Sequence, residues 1–207
     1  MPERKASQIP DYFIDRYIRP ACHDDSCIVE AFKAVPRELF MDEAMRLNAY
    51  NDNAQPIGFG QTISQPSLVA MMLYKLEIRK TDKCLEIGAG SGFVTALLSK
   101  LAGEVFALEL LPELRVKAQE KISEMKIDNA RLFTADGTLG FPEKAPYDRI
   151  IISAGAKSLP PALIEQLTDE GIMIIPLNGV LTKIINNKGL LTKQHLANVT
   201  FVDFVNS

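Results

Sequence analysis

The chain has 207 residues, 47% hydrophobic and 24% charged, with a formal net charge of −3 and a pI near 5.5. This is the balance of a globular protein long enough to bury a substantial core, and it excludes an intrinsically disordered chain. No apolar run reaches the length needed to span a bilayer, and no basic stripe marks a nucleic-acid footprint, so neither a membrane nor a nucleic-acid partner is expected. The only histidines are His23 and His195. With Cys22, Cys27 and Cys84 they make no metal-ligand set, so the cysteines read as reduced thiols and no metal is expected. Met1 to Ser7 is polar and lacks an apolar signal core, which points to a cytoplasmic protein.

The first 50 residues read as helical. Tyr12, Phe13, Tyr17 and Ile18, then Ile28, Ala31, Phe32 and Val35, recur at helical spacing; Pro20 is expected to separate the two stretches and Pro36 to end the second. Asn51 to Ser67, rich in Gly, Pro, Asn, Gln and Ser, reads as a long anchored loop of the functional kind. An amphipathic helix follows over Leu68 to Leu76. From Lys83 onward short apolar strands alternate with helices. Strands are predicted at Cys84–Ile87, Val105–Leu110, Ala130–Thr134, Arg149–Ser153 and Ile172–Pro176. Helices are predicted at Phe93–Leu101, Leu114–Met125 and Pro161–Leu167. That alternation implies an α/β, doubly wound, mostly parallel sheet of about seven strands with N-terminal helices. The last two strands are expected at Leu181–Ile185 and Val199–Val205, around a polar turn at Asn186–Gly189. One domain spanning 1–207 is the simplest organisation.

The sharpest local signal is Leu85-Glu86-Ile87-Gly88-Ala89-Gly90-Ser91-Gly92, a glycine turn between the first core strand and its helix. Glycines there allow a tight turn and let a ligand lie against the main chain, at the carboxyl end of the strands where open α/β sheets bind ligands. The spacing is E-x-G-x-G-x-G, with the third glycine one residue earlier than in the turn that aims a helix at a pyrophosphate. Glu109 ends the next strand, about 20 residues on, where a carboxylate accepts hydrogen bonds from ribose hydroxyls; the alternative is a solvated strand-end acid. Asp136-Gly137 follows the third strand, with Asp136 placed to accept an adenine amine and Gly137 to leave room for the base; the alternative is an ordinary Asp-Gly turn. Three successive strand ends thus favour S-adenosyl-L-methionine, a nucleoside without a phosphate, as cofactor.

Pro56-Ile57-Gly58-Phe59-Gly60-Gln61-Thr62-Ile63-Ser64-Gln65-Pro66 precedes that turn by a single helix. Here the sequence resembles the protein-L-isoaspartate (D-aspartate) O-methyltransferase family, whose hallmark is a P-I-G-x-G-Q-T-I-S-x-P segment in this place. The resemblance continues at Val35-Pro36-Arg37-Glu38-Leu39-Phe40, at Asp136 to Gly140, at Ala145 to Ile151 and at Pro160 to Leu167. It covers about Ile28 to Leu177. It implies a class I, Rossmann-like methyltransferase: residues 1–67 as N-terminal helices and substrate/cofactor loop, 68–177 as the S-adenosylmethionine-binding core, 178–207 as C-terminal strands.

The activity implied is methylation of the free α-carboxylate of L-isoaspartyl residues in damaged proteins and peptides, whose ester then closes to a succinimide that hydrolyses partly to normal aspartate. Ser64 matches the family's active-site serine. Gln61, Thr62, Ile63 and Ser64 would meet the cofactor, with Glu86, Gly88, Ala89, Gly90, Ser91, Gly92, Glu109, Leu110, Asp136 and Gly137. Ile57, Phe59, Thr62, Ser64, Ala154 and Gly155 would meet the substrate, the last two as small residues letting a peptide backbone approach. From the residues alone, Ser64 is equally a helix cap ahead of Pro66, and Phe59 and Tyr50 are pocket walls or packing. Beyond Leu177 the family's longer Gly-rich loop and its Gln have no counterpart, and Phe201-Val202-Asp203-Phe204 stands where the family reads F-V-P-L. Two other functions stay open at this point: a carboxyl methyltransferase for an aspartate of one dedicated peptide, and a non-catalytic binding module on the same fold. A monomer is expected.

Overall fold

The computed structural model describes residues 9–202 and 204; the readings on Met1 to Ser7 and on 203 and 205–207 lie outside them. A helical run opens the described chain: α1 (Asp11–Phe13), a π-helical stretch Ile14–Ile18, and α2 (Arg19–Ala21). Pro20 does not separate two helices as expected. It sits within this run, where the neighbouring π turns already interrupt the regular hydrogen-bond ladder, and the break falls at His23 and Asp24, both at positive φ. In α3 (Ser26–Ala34) the Asp25 carboxylate accepts from the Cys27 and Ile28 amides at 2.9 and 3.1 Å, an N-cap that fixes where the helix starts.

The segment read as a loop contains a hairpin, β1 (Gln55–Gly58) and β2 (Gln61–Ile63). Gly58 pairs with Gln61, leaving Phe59 and Gly60 as the two turn residues, both at positive φ (55° and 71°). Positive φ at both central positions is what a type I′ turn needs, and it gives the hairpin its twist. Next come α4 (Pro66–Leu76), β3 (Lys83–Ile87), α5 (Phe93–Leu101), β4 (Glu104–Glu109), α6 (Pro112–Glu124) and β5 (Ala130–Thr134). The chain continues through β6 (Tyr147–Ile152), α7 (Pro161–Glu165), β7 (Leu167–Leu177), β8 (Val180–Asn187) and β9 (Leu190–Asn198).

The large sheet has seven strands in the order β5-β4-β3-β6-β7-β8-β9. Pairings from β5 to β7 are parallel, and β8 and β9 add antiparallel to the end. Side chains alternate between its two faces, as strand geometry requires. Cys84, Val105, Ala107, Ile151 and Ile174 join the N-terminal helices, α4 and α5 in one apolar cluster. Leu85, Ile87, Phe106, Ile150 and Met173 build the other. The last strand is not where the sequence pointed. β9 follows the turn at once, while residues 199–202 form no strand. Gly155 instead pairs with the chain end: its amide donates to the Val202 carbonyl and the Phe204 amide donates back to Gly155 O, each at 2.8 Å.

Candidate active site

The carboxyl ends of β3, β4 and β6 meet where the strand order reverses, and a cavity of about 300 Å³ opens there. Of the expected residues it is lined by Gly88 to Ser91, Glu86, Glu109, Leu110, Asp136, Gly137 and Ala154, and by Phe59, Gln61, Thr62, Ile63 and Ser64 from the hairpin side. Two elements far apart in sequence thus share one pocket.

Glu109 is 6% exposed rather than solvated. The Gly90 amide donates to its Oε2 at 2.7 Å and the Leu111 amide to its Oε1 at 3.0 Å. The carboxylate therefore shapes the glycine turn as well as facing the pocket. Gly88 and Gly90 take φ of 81° and 54°, in the left-handed region that side chains rarely adopt. Asp136 does form the Asp-Gly turn: its Oδ1 accepts from the Thr138 amide at 2.9 Å and hydroxyl at 2.8 Å, while Oδ2 has no hydrogen-bond partner among the described residues.

Glu86 is fully buried at the end of β3. The Thr95 hydroxyl donates to its Oε2 at 2.5 Å, and Oε1 has no partner among the described residues. Burial pushes its carboxyl up to about 8, with the Thr95 bond opposing the shift and the charge of Glu109 adding to it. A raised folded-state value means that, above the unfolded value of about 4.3, the folded chain binds more protons than the unfolded one. Stability from this group therefore declines as pH rises from about 4.3 to about 8. Thermal melts across that window are expected to show the wild type losing ground to Glu86→Gln; parallel curves would contradict the assignment.

Three expected contacts, Gly92, Ile57 and Gly155, lie elsewhere, and a fourth, Gly137, plays a different part from the one expected. Gly92 starts α5 and does not line the pocket; a Cβ on it would approach the Ala118 Cβ at 3.0 Å, so its glycine serves helix packing. Ile57 is buried on the far side of the turn, with its Cδ1 3.3 Å from where a Gly90 Cβ would stand, and so braces the turn instead of facing the cavity. Gly155 uses its amide and carbonyl on the chain end, which closes it to an incoming peptide backbone. Gly137 lines the pocket, but the space beside its Cα belongs to Ile87, whose Cγ2 would lie 2.1 Å from an added Cβ; that space is not left for a base.

Ser64 is half-buried and does not cap α4. Asp52 holds that helix start instead: its carboxylate accepts from the Ser67 amide (2.8 Å), the Ser67 hydroxyl (2.7 Å) and the Gln65 side chain (3.0 Å). Ser64 itself lines the cavity, and its hydroxyl makes no hydrogen bond among the described residues. Sequence reasoning missed the apolar wall of Ile87, Val94, Leu108, Leu111 and Phe204. Phe204 comes from the closing segment that departs from the family pattern, and no local signal placed it there.

Sheet order and site together define a Rossmann-like fold of the class I S-adenosylmethionine-dependent methyltransferases. The profile of the protein-L-isoaspartate(D-aspartate) O-methyltransferase family matches residues 11–207, and the chain belongs to that family. The protein-L-isoaspartate O-methyltransferase of Ignicoccus hospitalis is 39% identical over 99% of both chains. That of an Anaeromyxobacter species is 46% identical over 75% of this chain and 74% of its own. A crystal structure of a Plasmodium falciparum protein described as such a methyltransferase, in complex with S-adenosyl-L-homocysteine, superposes with a TM-score of 0.82 at 25% identity, covering 93% of this chain and 96% of that one.

Proposed function

We propose that the chain, acting as one methyltransferase domain, transfers a methyl group from S-adenosyl-L-methionine to the free α-carboxylate of L-isoaspartyl residues in proteins and peptides, starting their repair. The carrying observation is the shared cavity: the Q-T-I-S hairpin edge and the glycine turn line the same space. The residues suit the donor. The orphaned Glu86 Oε1 is an acceptor that an ammonium group satisfies, Glu109 and the open Oδ2 of Asp136 are acceptors for a nucleoside, and the apolar wall takes its uncharged faces. When bound, the sulfonium supplies an electrophilic methyl activated by its own positive charge.

What remains for the protein is positioning. A substrate carboxylate is already ionised at neutral pH, so no strong base is required. Ser64, a pocket-lining residue whose hydroxyl makes no hydrogen bond among the described residues, donates a hydrogen bond that turns one carboxylate oxygen toward the methyl; Phe59, Thr62 and Ala154 are the neighbouring substrate walls. Gly155 and Ile57 drop out of that list on the geometry above. Proximity of this kind is worth at most about 7–11 kcal/mol of barrier. Ser64→Ala is expected to lower kcat by roughly 10- to 100-fold, the scale of one hydrogen bond to a charged group, with unchanged S-adenosylhomocysteine affinity. Weaker affinity with an unchanged single-turnover rate would contradict the role.

No helix among the described residues is long and apolar enough to cross a membrane, and we propose a cytoplasmic monomer. The functional test is methyl transfer from labelled donor to an isoaspartyl peptide and its aspartyl twin. The isoaspartyl peptide alone should be labelled; labelling of the aspartyl twin would point to a dedicated aspartyl substrate, and no donor binding at all to a non-catalytic module.

A further inference from the structure

Arg37 is 1% exposed, the largest of the fully buried side chains, and no carboxylate pairs with it at contact distance among the described residues. Its guanidinium donates to main-chain carbonyls instead. Nη1 reaches Ala49 O at 2.8 Å, and Nη2 reaches Asn53 O at 3.1 Å, Ser64 O at 3.1 Å and, more loosely, Ile63 O at 3.4 Å. Burying a cation is costly unless its hydrogen bonds are met. Here Nη1 and Nη2 are met by backbone carbonyls before the hairpin and at its end, while Nε has no partner among the described residues. Asp52 lies between Ala49 and Asn53 and holds the other side of the same stretch, through the Ser67 and Gln65 donors.

We infer that Arg37 is a positioning residue for the methyl transfer: it clamps the Ser64 carbonyl, and with Asp52 on the donors just beyond it fixes the Ser64 hydroxyl against the cavity. Five rigid donors in one plane suit several carbonyls at once; an ammonium point charge does not span the same fork. Misplacing a reacting group by about 1 Å from outside the chemistry is enough to cost about 100-fold in rate.

The kinetic consequence rests on the isoaspartyl reading, so the test carries an arm that does not. Arg37→Lys and Arg37→Met are assayed with the isoaspartyl peptide, alone and combined with Ser64→Ala, and S-adenosylhomocysteine binding is followed by calorimetry. The expected result for Arg37→Lys is a fall in kcat of about 100-fold with donor-product affinity kept within about threefold. In the Ser64→Ala background the same change should cost less than about twofold more, since both act through one hydroxyl. Unchanged kcat in a folded variant, or losses that multiply independently, would overturn the inference. Amide hydrogen exchange supplies the second arm: in Arg37→Lys it should quicken over residues 61–67 and nowhere in the central strands. If the wild type leaves the isoaspartyl peptide unmethylated, the functional reading fails, and the exchange pattern alone decides on the clamp; unaltered exchange at 61–67 refutes it. Should Arg37→Met fail to fold, Arg37→Lys carries both arms.

Discussion

Glu109→Ala is expected to weaken S-adenosylhomocysteine binding by roughly 100- to 10 000-fold. The carboxylate has two tasks. Each of its oxygens receives a backbone amide, from Gly90 and Leu111, that sets the shape of the turn. The residue also lines the cavity, where on the proposed donor site two ribose hydroxyls donating to its charge would contribute about 1.5–3 kcal/mol apiece. Alanine removes both bonds and leaves two amides without acceptors, at about 1–3 kcal/mol each where water does not replace the carboxylate. Glu109→Gln, which keeps acceptor capacity on one side, should fall between. Titration calorimetry on the three proteins reads the order directly. Unchanged affinity in Glu109→Ala would remove this residue from the donor site.

Arg149→Met is expected to destabilise the fold by about 3–5 kcal/mol, the scale of breaking a buried ion pair from one side, and to lower Tm by roughly 6–20 °C. Arg149 and Asp82 are both buried, with Nε 3.3 Å from Oδ2. The same guanidinium donates twice, at 3.1 Å, to the Glu77 carbonyl that closes α4, where Glu77 takes the left-handed conformation and its side chain pairs with the buried Lys183. Methionine fills the volume but leaves Asp82 charged and the carbonyl unmet. Pairing it with Asp82→Asn should recover part of the loss, because the stranded charge is then gone. Arg149 sits toward the amino end of β6, away from the ligand-binding ends of the strands, so donor affinity should hold. A Tm shift below about 2 °C would contradict this account of the network.

The sequence exposed most of the core sheet because its signals are local. Alternating short apolar runs mark buried parallel strands, and E-x-G-x-G-x-G fixes where the first of them turns. What stayed hidden depends on distant parts of the chain. The hairpin at 55–63 has strands of three and four residues in which Ile57 and Ile63 stand alone among Gln, Pro, Gly and Thr, so composition reads as loop and the positive φ at Phe59 and Gly60 marks the turn. β9 lies at the sheet edge with a mostly polar, exposed sequence and carries no alternation to follow; the apolar 201–205 run drew the strand assignment instead.

Within the site, the glycine turn and Glu109 are legible from backbone shape and strand-end chemistry, whereas the Q-T-I-S edge is legible only through the family resemblance, since from the residues alone Ser64 reads equally as a helix cap. Gly137 was misjudged: its missing Cβ serves Ile87, a neighbour visible only after folding. Arg37 stands within the Val35–Phe40 motif, and nothing local shows that its cation will be buried among carbonyls. Phe204 reaches the pocket only through the pairing of its backbone with Gly155.

The most direct measurement is a crystal structure with S-adenosyl-L-homocysteine bound. The nucleoside should lie between Glu109 and Asp136, with the amino-acid end toward Glu86 and the thioether sulfur facing Ser64. A nucleoside lodged elsewhere, or a sulfur remote from the Ser64 hydroxyl, would contradict the account.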